Sequence, residues 1–273
     1  MFSDGGKNVL EIFDTAKQND VKVISITDHN NIDAYDSLPK TNLFDIKIIQ
    51  GVEVDAVFDE IKTHIVMYGF EKTKAVMRYF AKAKRYDIKD FKRMVKSTER
   101  LNGIKIDRKI LKNFIRKNQY FDKVRLNNLL VEAKFANTAV DAFYNFSKDV
   151  KDKTRYSVPA KKLFKIAKQS GGLTFVAHPM KYLKQLETVE KLEEYILKLK
   201  KIGLDGVEVF NNRQNQEEET RLLNFTKNND LLISAGSDYH AKIGAKESKQ
   251  IGEVLEKEIN SNLVSQKIIN LIK

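Results

Sequence analysis

The chain has 273 residues, of which 42% are hydrophobic and none is cysteine, and its formal net charge is +12 at pH 7. This length suits one large α/β domain or one domain with an insertion. The lack of cysteine excludes disulfides and thiolate metal sites, and no apolar run approaches the roughly 18–20 residues of a membrane span. The start, Met1–Gly6, lacks the basic and apolar regions of a secretory signal, so we expect a cytoplasmic protein without a membrane partner.

The first part of the chain alternates helical periodicity with short apolar runs. One helix face is formed by Val9, Leu10, Ile12, Phe13 and Ala16. Three runs then predict strands: Val21–Ile26, Ile46–Val54 and His64–Phe70. Such alternation predicts parallel strands in a closed or open α/β layer.

Residues 72–158 break this alternation. They predict consecutive amphipathic helices at Val76–Arg85, Phe91–Leu101, Lys109–Lys117, Arg125–Ala133 and Val140–Phe146. Residues 71–160 hold 24 lysines and arginines against 10 acids, a balance of +14. This excess favours a polyanionic partner such as nucleic acid or a nucleotide. The alternative is that an AT-rich genome places lysine wherever a solvated helix face tolerates it.

The α/β alternation resumes at Pro159, which marks the start of a helix. Further strands are predicted at Leu173–Ala177, Gly206–Phe210 and Leu231–Ala235, and a final helix at Val254–Ile272. We therefore expect two parts, 1–71 with 159–273, and a helical insertion domain at 72–158.

All four histidines lie beside a predicted strand end or a turn: His29, His64, His178 and His240. Strand ends around a barrel or sheet converge, so ligands that are distant in sequence can meet at one metal cluster. Acids accompany them: Asp4, Asp28, Glu53 and Asp238.

Imidazole with carboxylate suits Zn²⁺, Mn²⁺ or Fe²⁺ in a hydrolytic site. Asp4, Glu53, Asp238 and the four histidines make seven candidate ligands, which is enough for two or three ions. Such a cluster activates water and clamps a phosphoryl group. Each residue also has an ordinary alternative: a hydrogen-bonded loop histidine, an orienting or capping role for Asp28, a turn at Asp4, and a helix N-cap at Asp238.

Five segments together resemble the PHP (polymerase and histidinol phosphatase) superfamily in order and spacing. They are Thr27-Asp28-His29-Asn30, Gly51-Val52-Glu53, His64, Ala177-His178-Pro179 and Gly236-Ser237-Asp238-Tyr239-His240, and Ser3-Asp4-Gly5 is similar to the end of the family's first motif. The resemblance implies an irregular (βα)7 barrel with a trinuclear metal site that hydrolyses phosphoesters. It is strongest for the branch with a helical insertion, which acts on nucleoside monophosphates, 3′,5′-bisphosphorylated nucleotides or the 5′ ends of short RNA.

The resemblance also implies roles for these residues. Asp4, His29 and His240 would hold one ion; His64, His178 and Glu53 a second; and Glu53 and Asp238 would contribute to a third. Glu53, Asp238 and Asp28 are the candidate catalytic residues. Arg125 and Arg213 are candidate substrate contacts, because a guanidinium matches phosphate geometry, and the alternative for both is a solvated surface charge.

The family's first motif begins with His-x-His on a first strand, and Met1 falls after the place of those histidines. We therefore expect a barrel that lacks its first strand, binds up to two ions and has weak or no phosphoesterase activity. A misassigned start, a shortened chain and a degenerate homologue are the three explanations, and the intact later ligands favour the first.

The leading function is a metal-dependent phosphoesterase of nucleotides or short RNA 5′ ends, with no protein partner indicated. One alternative is a non-catalytic nucleic-acid binder that uses the basic insertion. Histidinol phosphate as the substrate fits the superfamily but not the insertion.

Overall fold

The computed structural model describes residues 8–38, 45–151, 156–240, 251–254, 257–258 and 264–271. Its strands are β1 Val23–Ile24, β2 Lys47–Ile48, β3 Gly51–Phe58, β4 Ile61–Tyr68, β5 Val158–Pro159, β6 Leu173–Val176, β7 Gly206–Asn211, β8 Leu232–Gly236, β9 Glu253–Val254 and β10 Lys257–Glu258. Its α-helices are α1 Val9–Gln18, α2 Lys74–Asn102, α3 Arg108–Lys117, α4 Lys123–Glu132, α5 Ala139–Ala142, α6 Ala160–Gln169, α7 Leu183–Leu186, α8 Val189–Lys201, α9 Gln216–Asn228 and α10 Gln266–Ile269.

A six-stranded mixed sheet in the order β5-β3-β4-β6-β7-β8 forms the centre of the fold. The short strands β1 and β2 pair in parallel beside it, and the chain after β1 joins the sheet through a parallel bridge between His29 and Glu53. The strand pairings of the described residues form an open order and do not close into a ring.

The prediction of parallel strands is wrong for β4, which runs antiparallel to both β3 and β6. The reason is the turn at Asp59-Glu60, where both residues have a positive φ (47° and 64°). Two successive left-handed residues make the tight turn of a β-hairpin, which returns the chain at once beside β3.

Two of the predicted helices are one element. The sequence predicts separate helices at Val76–Arg85 and Phe91–Leu101, but α2 runs through both from an N-cap at Thr73. No glycine or proline interrupts residues 74–102, and the helix ends where Gly103 adopts the left-handed conformation (φ 63°). The final predicted helix is wrong for most of its described residues, because Val254 belongs to β9, Lys257–Glu258 is β10, which pairs antiparallel with β9, and α10 covers only Gln266–Ile269.

The apolar residues form separate clusters. The largest packs helices α6, α8 and α9 on the central sheet, and a second one, which includes Phe91, Met94, Phe114 and Leu130, lies wholly within residues 88–150. Helix α2 contributes to both clusters, through Val76, Tyr79 and Phe80 at its start and through Met94 further on. The division of the chain into domains at residues 72 and 158 stays a prediction.

None of the described helices combines the length and the apolar character that crossing a bilayer requires.

Candidate metal centre

Three histidines and one glutamate converge at the ends of the central strands. Glu53 lies on β3, His64 faces it from β4, His29 follows β1, and His178 follows β6. All are buried or nearly so: the exposed fractions are 8% for His29, 6% for Glu53 and 3% for His178. Buried polar side chains of this kind require partners, and these provide several of one another's. Among the described residues, the buried His178 Nδ1 has no hydrogen-bond partner.

The Glu53 carboxylate is at the middle of the cluster. Its Oε1 lies 2.5 Å from His64 Nδ1 and 3.0 Å from His178 Nε2, and its Oε2 lies 3.7 Å from His29 Nε2. Burial by itself would raise the pKa of Glu53, but His29, His178 and His64 outweigh it and hold that pKa well below its ordinary value. Glu53 is therefore an ionised carboxylate bounded by three imidazoles.

Asp55 belongs to the same cluster, although the sequence analysis did not select it. Its Oδ1 lies 3.3 Å from His64 Nε2, and Asp55 and His64 are direct partners in the β3–β4 register. Asp55 and Glu53 are two residues apart on one strand and thus share a face. That spacing was a usable signal for Asp55, although only the hairpin register brings His64 beside it.

These donors form two groups that could hold a metal ion: Glu53 with His64 and His178, and Asp55 with His29 and His64. In the first group His64 Nδ1 and His178 Nε2 are 3.2 Å apart, and both lie close to Glu53 Oε1. Ligands of a tetrahedral ion with bonds of about 2.1 Å are roughly 3.4 Å apart, so the spacing of the two imidazole nitrogens fits. The 2.5 Å between His64 Nδ1 and Glu53 Oε1 is a direct hydrogen-bond distance, and these two atoms would move apart to admit an ion. The imidazole and carboxylate donors suit Zn²⁺, Mn²⁺ or Fe²⁺.

The backbone at this edge of the sheet is strained. Asn30, His178 and Asp238 each follow a strand or strand-like segment, and each has a positive φ: 50°, 33° and 49°. Residues other than glycine adopt this conformation at a cost, and such residues concentrate at functional sites. The left-handed turn at His178 directs its ring toward Glu53 while its backbone N–H donates to Glu208 Oε2 at 2.7 Å.

Glu208 is a second buried acid that the sequence analysis missed. It lies on β7, is 5% exposed, and also accepts a hydrogen bond from Asn211 Nδ2 at 2.9 Å. Burial raises the pKa of Glu208 to about 8, and the negative charges of Asp238 and Glu53 act in the same direction. A carboxylate inside the apolar run Gly206–Phe210 was the signal that could have identified it.

The remaining predicted residues are less tightly grouped. Asp238 Oδ2 accepts a hydrogen bond from Arg213 Nε at 2.8 Å, and His240 Nδ1 lies 2.8 Å from the Asp238 carbonyl oxygen. Within the described part of the chain, neither Asp238 nor His240 joins a group of converging metal donors. Arg213 therefore forms an ion pair with Asp238, although its side chain remains exposed to solvent.

Asp28 lies next to the cluster through its backbone, because its carbonyl oxygen accepts the Glu53 N–H at 3.2 Å. Arg125 is in the first turn of α4, and among the described residues it does not line the cavity beside the cluster. Asp4 lies outside the described residues. The roles of these residues stay predictions.

A cavity of about 540 Å³ adjoins the cluster. Its lining includes His29, Glu53, His178, Asp238 and His240, together with residues of β1 and β8. The structure thus brings most of the residues selected from the sequence to one concave site, which is the usual setting of a binding or catalytic centre.

No family model matches the sequence. A curated 5′-3′ exoribonuclease from Haemophilus influenzae is 26% identical over 255 residues, covering 89% of this chain and 88% of that protein.

Two solved structures share the fold. A candidate metal-dependent phosphoesterase from Bifidobacterium adolescentis has a TM-score of 0.72 at 22% identity, over 99% of this chain and 92% of that one. An amidohydrolase from Chromobacterium violaceum, solved with sulfate and no metal, has a TM-score of 0.71 at 17% identity, over 99% and 94%. The prediction of an α/β fold agrees with these two structures. The described residues also contain the converging groups, able to bind metal, that the prediction of a metal-dependent enzyme requires.

Proposed function

We propose that this protein is a metal-dependent phosphoesterase of the PHP type, acting on nucleotides or on the 5′ ends of short RNA. The observation that carries the proposal is the convergence of Glu53 with three imidazoles at one strand edge. The similarity to an exoribonuclease supports the choice of substrate, and the similarity to a candidate phosphoesterase supports the choice of reaction.

The residues of the cluster would hold the ions. Glu53, His64 and His178 form one set of ligands, and His29, Asp55 and His64 form another. A neutral imidazole offers one lone pair, so His64 would belong to only one of the two sets at a time. Divalent ions held by these residues would supply Lewis acidity, which lowers the pKa of a bound water molecule and offsets the charge of a phosphoryl group. Two or three ions of Mn²⁺, Zn²⁺ or Fe²⁺ are part of the proposal.

The chain's own groups position these ligands. Tyr182 accepts the backbone N–H of His64 at 2.7 Å through its hydroxyl oxygen, and Glu208 accepts that of His178. Such outer contacts fix the orientation of ligating rings. Arg213, whose Nε pairs with the cavity-lining Asp238, would offer its guanidinium to a substrate phosphate.

An irregular (βα)7 barrel is also part of the proposal. Strands β1 and β8 both line the cavity, and β8 is the last strand in the order of the central sheet. A strand placed between β1 and β8 would close the sheet.

The test is phosphate release by the metal-loaded protein from a nucleoside 3′,5′-bisphosphate and from a short 5′-phosphorylated RNA. The Glu53→Gln variant should lose release by about 100-fold or more, because one donor to the ions becomes a neutral amide. Glu194→Gln, an exposed change on α8, is the matched control and should release phosphate normally. Equal release by the Glu53→Gln variant and the wild type would contradict the proposal.

A further inference from the structure

A continuous row of cations lies along α2, and we call it the basic stripe. It consists of eight exposed residues: Lys74, Arg78, Lys82, Arg85, Lys89, Lys92, Lys96 and Arg100. Their spacing of three or four residues places all eight within about 80° of the helix circumference, since an α-helix has 3.6 residues per turn. At 1.5 Å per residue the stripe is about 39 Å long.

The charges of the basic stripe are not neutralised by neighbouring acids. Cations close to it are paired: Lys84 with Asp33, and Arg93 with Asp90. By contrast, no member of the stripe forms an ion pair with any acid that the structure describes. Like charges three or four residues apart destabilise a helix, so a polyanion bound along the stripe would relieve this repulsion.

The stripe passes the metal centre in its N-terminal third. Tyr79, on the inner side of α2, donates its O–H to Asn30 Oδ1 at 2.5 Å, and Asn30 Nδ2 donates to Asp55 Oδ2 at 2.6 Å. Lys82 Nζ lies 5.2 Å from the centre of the Tyr156 ring, and the Tyr156 carbonyl oxygen accepts from Asn30 Nδ2 at 3.3 Å. One asparagine therefore links the helix, Tyr156 and the candidate ligand Asp55.

Aromatic rings accompany the cations at this point. The Tyr156 ring lies 5.5 Å from that of Tyr86 and 6.0 Å from that of Tyr79, and Tyr86 is 38% exposed. Proteins that bind single-stranded nucleic acid combine a basic track for the backbone with aromatic faces for the bases. Paired bases in a duplex do not offer their faces to such rings, so this arrangement favours a single strand.

We propose that the basic stripe binds the sugar-phosphate backbone of a single-stranded RNA whose end lies at the metal centre, with bases near that end stacked on Tyr86 and Tyr156. The inference deepens the proposed function and rests on it for the end group. Binding along the stripe does not itself require turnover.

The test is binding of a fluorescently labelled, 5′-phosphorylated single-stranded RNA of about 12 nucleotides to the full chain, measured by anisotropy in chelator between about 50 and 200 mM salt. The variant carries Lys89→Glu, Lys92→Glu and Lys96→Glu in α2. The matched control carries Lys161→Glu, Lys165→Glu and Lys168→Glu, three exposed lysines over two turns of α6 with the same change in net charge.

The α2 variant should lose at least about tenfold in affinity at low salt, and its slope of log K against log salt should fall by about 2, because a single strand releases about 0.7 counterion per contact. The α6 variant should retain most of the affinity and the slope. Equal losses in both variants, or no loss in the α2 variant, would overturn the proposal. Lys→Gln at the same α2 positions should give a smaller loss in the same direction, which guards against a folding defect.

Two more measurements identify the ligand and separate the two proposals. Tyr86→Ala should lower affinity by about fivefold or more, and equally tight binding of a duplex of the same sequence would overturn the assignment of a single strand. Stripe-dependent binding without phosphate release by the wild type would remove the proposed function and leave the stripe as a nucleic-acid surface. Phosphate release together with RNA binding that does not depend on the basic stripe would remove the stripe proposal and leave the proposed function.

Discussion

Replacement of Glu208 by glutamine should change how the stability of the protein depends on pH. The Glu208 carboxyl is buried on β7 and accepts hydrogen bonds from the backbone of His178 and the side chain of Asn211. Glutamine has nearly the same shape and keeps one acceptor oxygen for these donors, but it does not ionise. The substitution therefore isolates the effect of the charge.

The magnitude follows from the pKa of Glu208, which burial raises from 4.5 to about 8. Below pH 4.5 the carboxyl is protonated in both the folded and the unfolded chain. As the pH rises toward 8, the unfolded chain loses this proton while the folded protein keeps it, so stability is lost across this window. One pKa unit corresponds to about 1.4 kcal/mol. Between about pH 5 and pH 8, the free energy of unfolding of the wild type should therefore fall by on the order of 3 kcal/mol relative to that of Glu208→Gln.

The assay is urea unfolding of both metal-free proteins at several pH values in this window. The informative quantity is the difference in the free energy of unfolding between variant and wild type, because the other titrating groups cancel in it. Glu194→Gln provides a baseline at an exposed site. A difference for Glu208→Gln that stays constant within about 1 kcal/mol over the window would refute the reasoning, because it would mean that Glu208 titrates normally.

Three further predictions concern the metal centre and the framework that supports it. His178→Ala should reduce the rise in melting temperature that Mn²⁺ or Zn²⁺ produces in the wild type, because a metal ion that binds only the folded state stabilises it. Differential scanning calorimetry measures this rise, and an unchanged rise would remove His178 from the ligands. Glu60→Gly should raise the free energy of unfolding in urea by about 1 kcal/mol, because Glu60 has a φ of 64° and Asp-Gly suits the turn of the β3–β4 hairpin. A loss of stability would contradict the turn type. Gly206→Ala should destabilise the protein by about 2–3 kcal/mol in the same assay, since the new Cβ would overlap the Phe175 ring and the Leu232 carbonyl oxygen. An unchanged stability would show that β7 can shift to make room.

The periodicity of the chain was sufficient for most of the elements. Alternating and continuous apolar runs located β3, β4, β6, β7 and β8, and the amphipathic pattern located α3 and α4 within two residues at each end. These elements were predictable because burial on one face requires apolar residues at the period of the element.

The directions and partners of the strands were not predictable in this way. Whether β4 returns antiparallel beside β3 depends on the two-residue turn at Asp59-Glu60, and Glu60 is not typical of such a turn. Consequently the pairing of Asp55 with His64, which adds a carboxylate to the metal centre, could not be derived from spacing alone.

The sequence by itself determined the chemistry of the centre: imidazoles and carboxylates at strand ends, without thiolates. Only the tertiary structure decided which of them share donors, because His64 contacts both Glu53 and Asp55 while Asp238 pairs with Arg213. The tertiary structure also decided that α2 is one continuous helix, which places the cations of the basic stripe on one face past the cluster. Two separate helices with a gap between them, as the sequence predicted, would not share one face. The physical reason is that periodicity acts over a few residues, whereas register, strand direction and contacts between distant segments are set by packing of the whole chain.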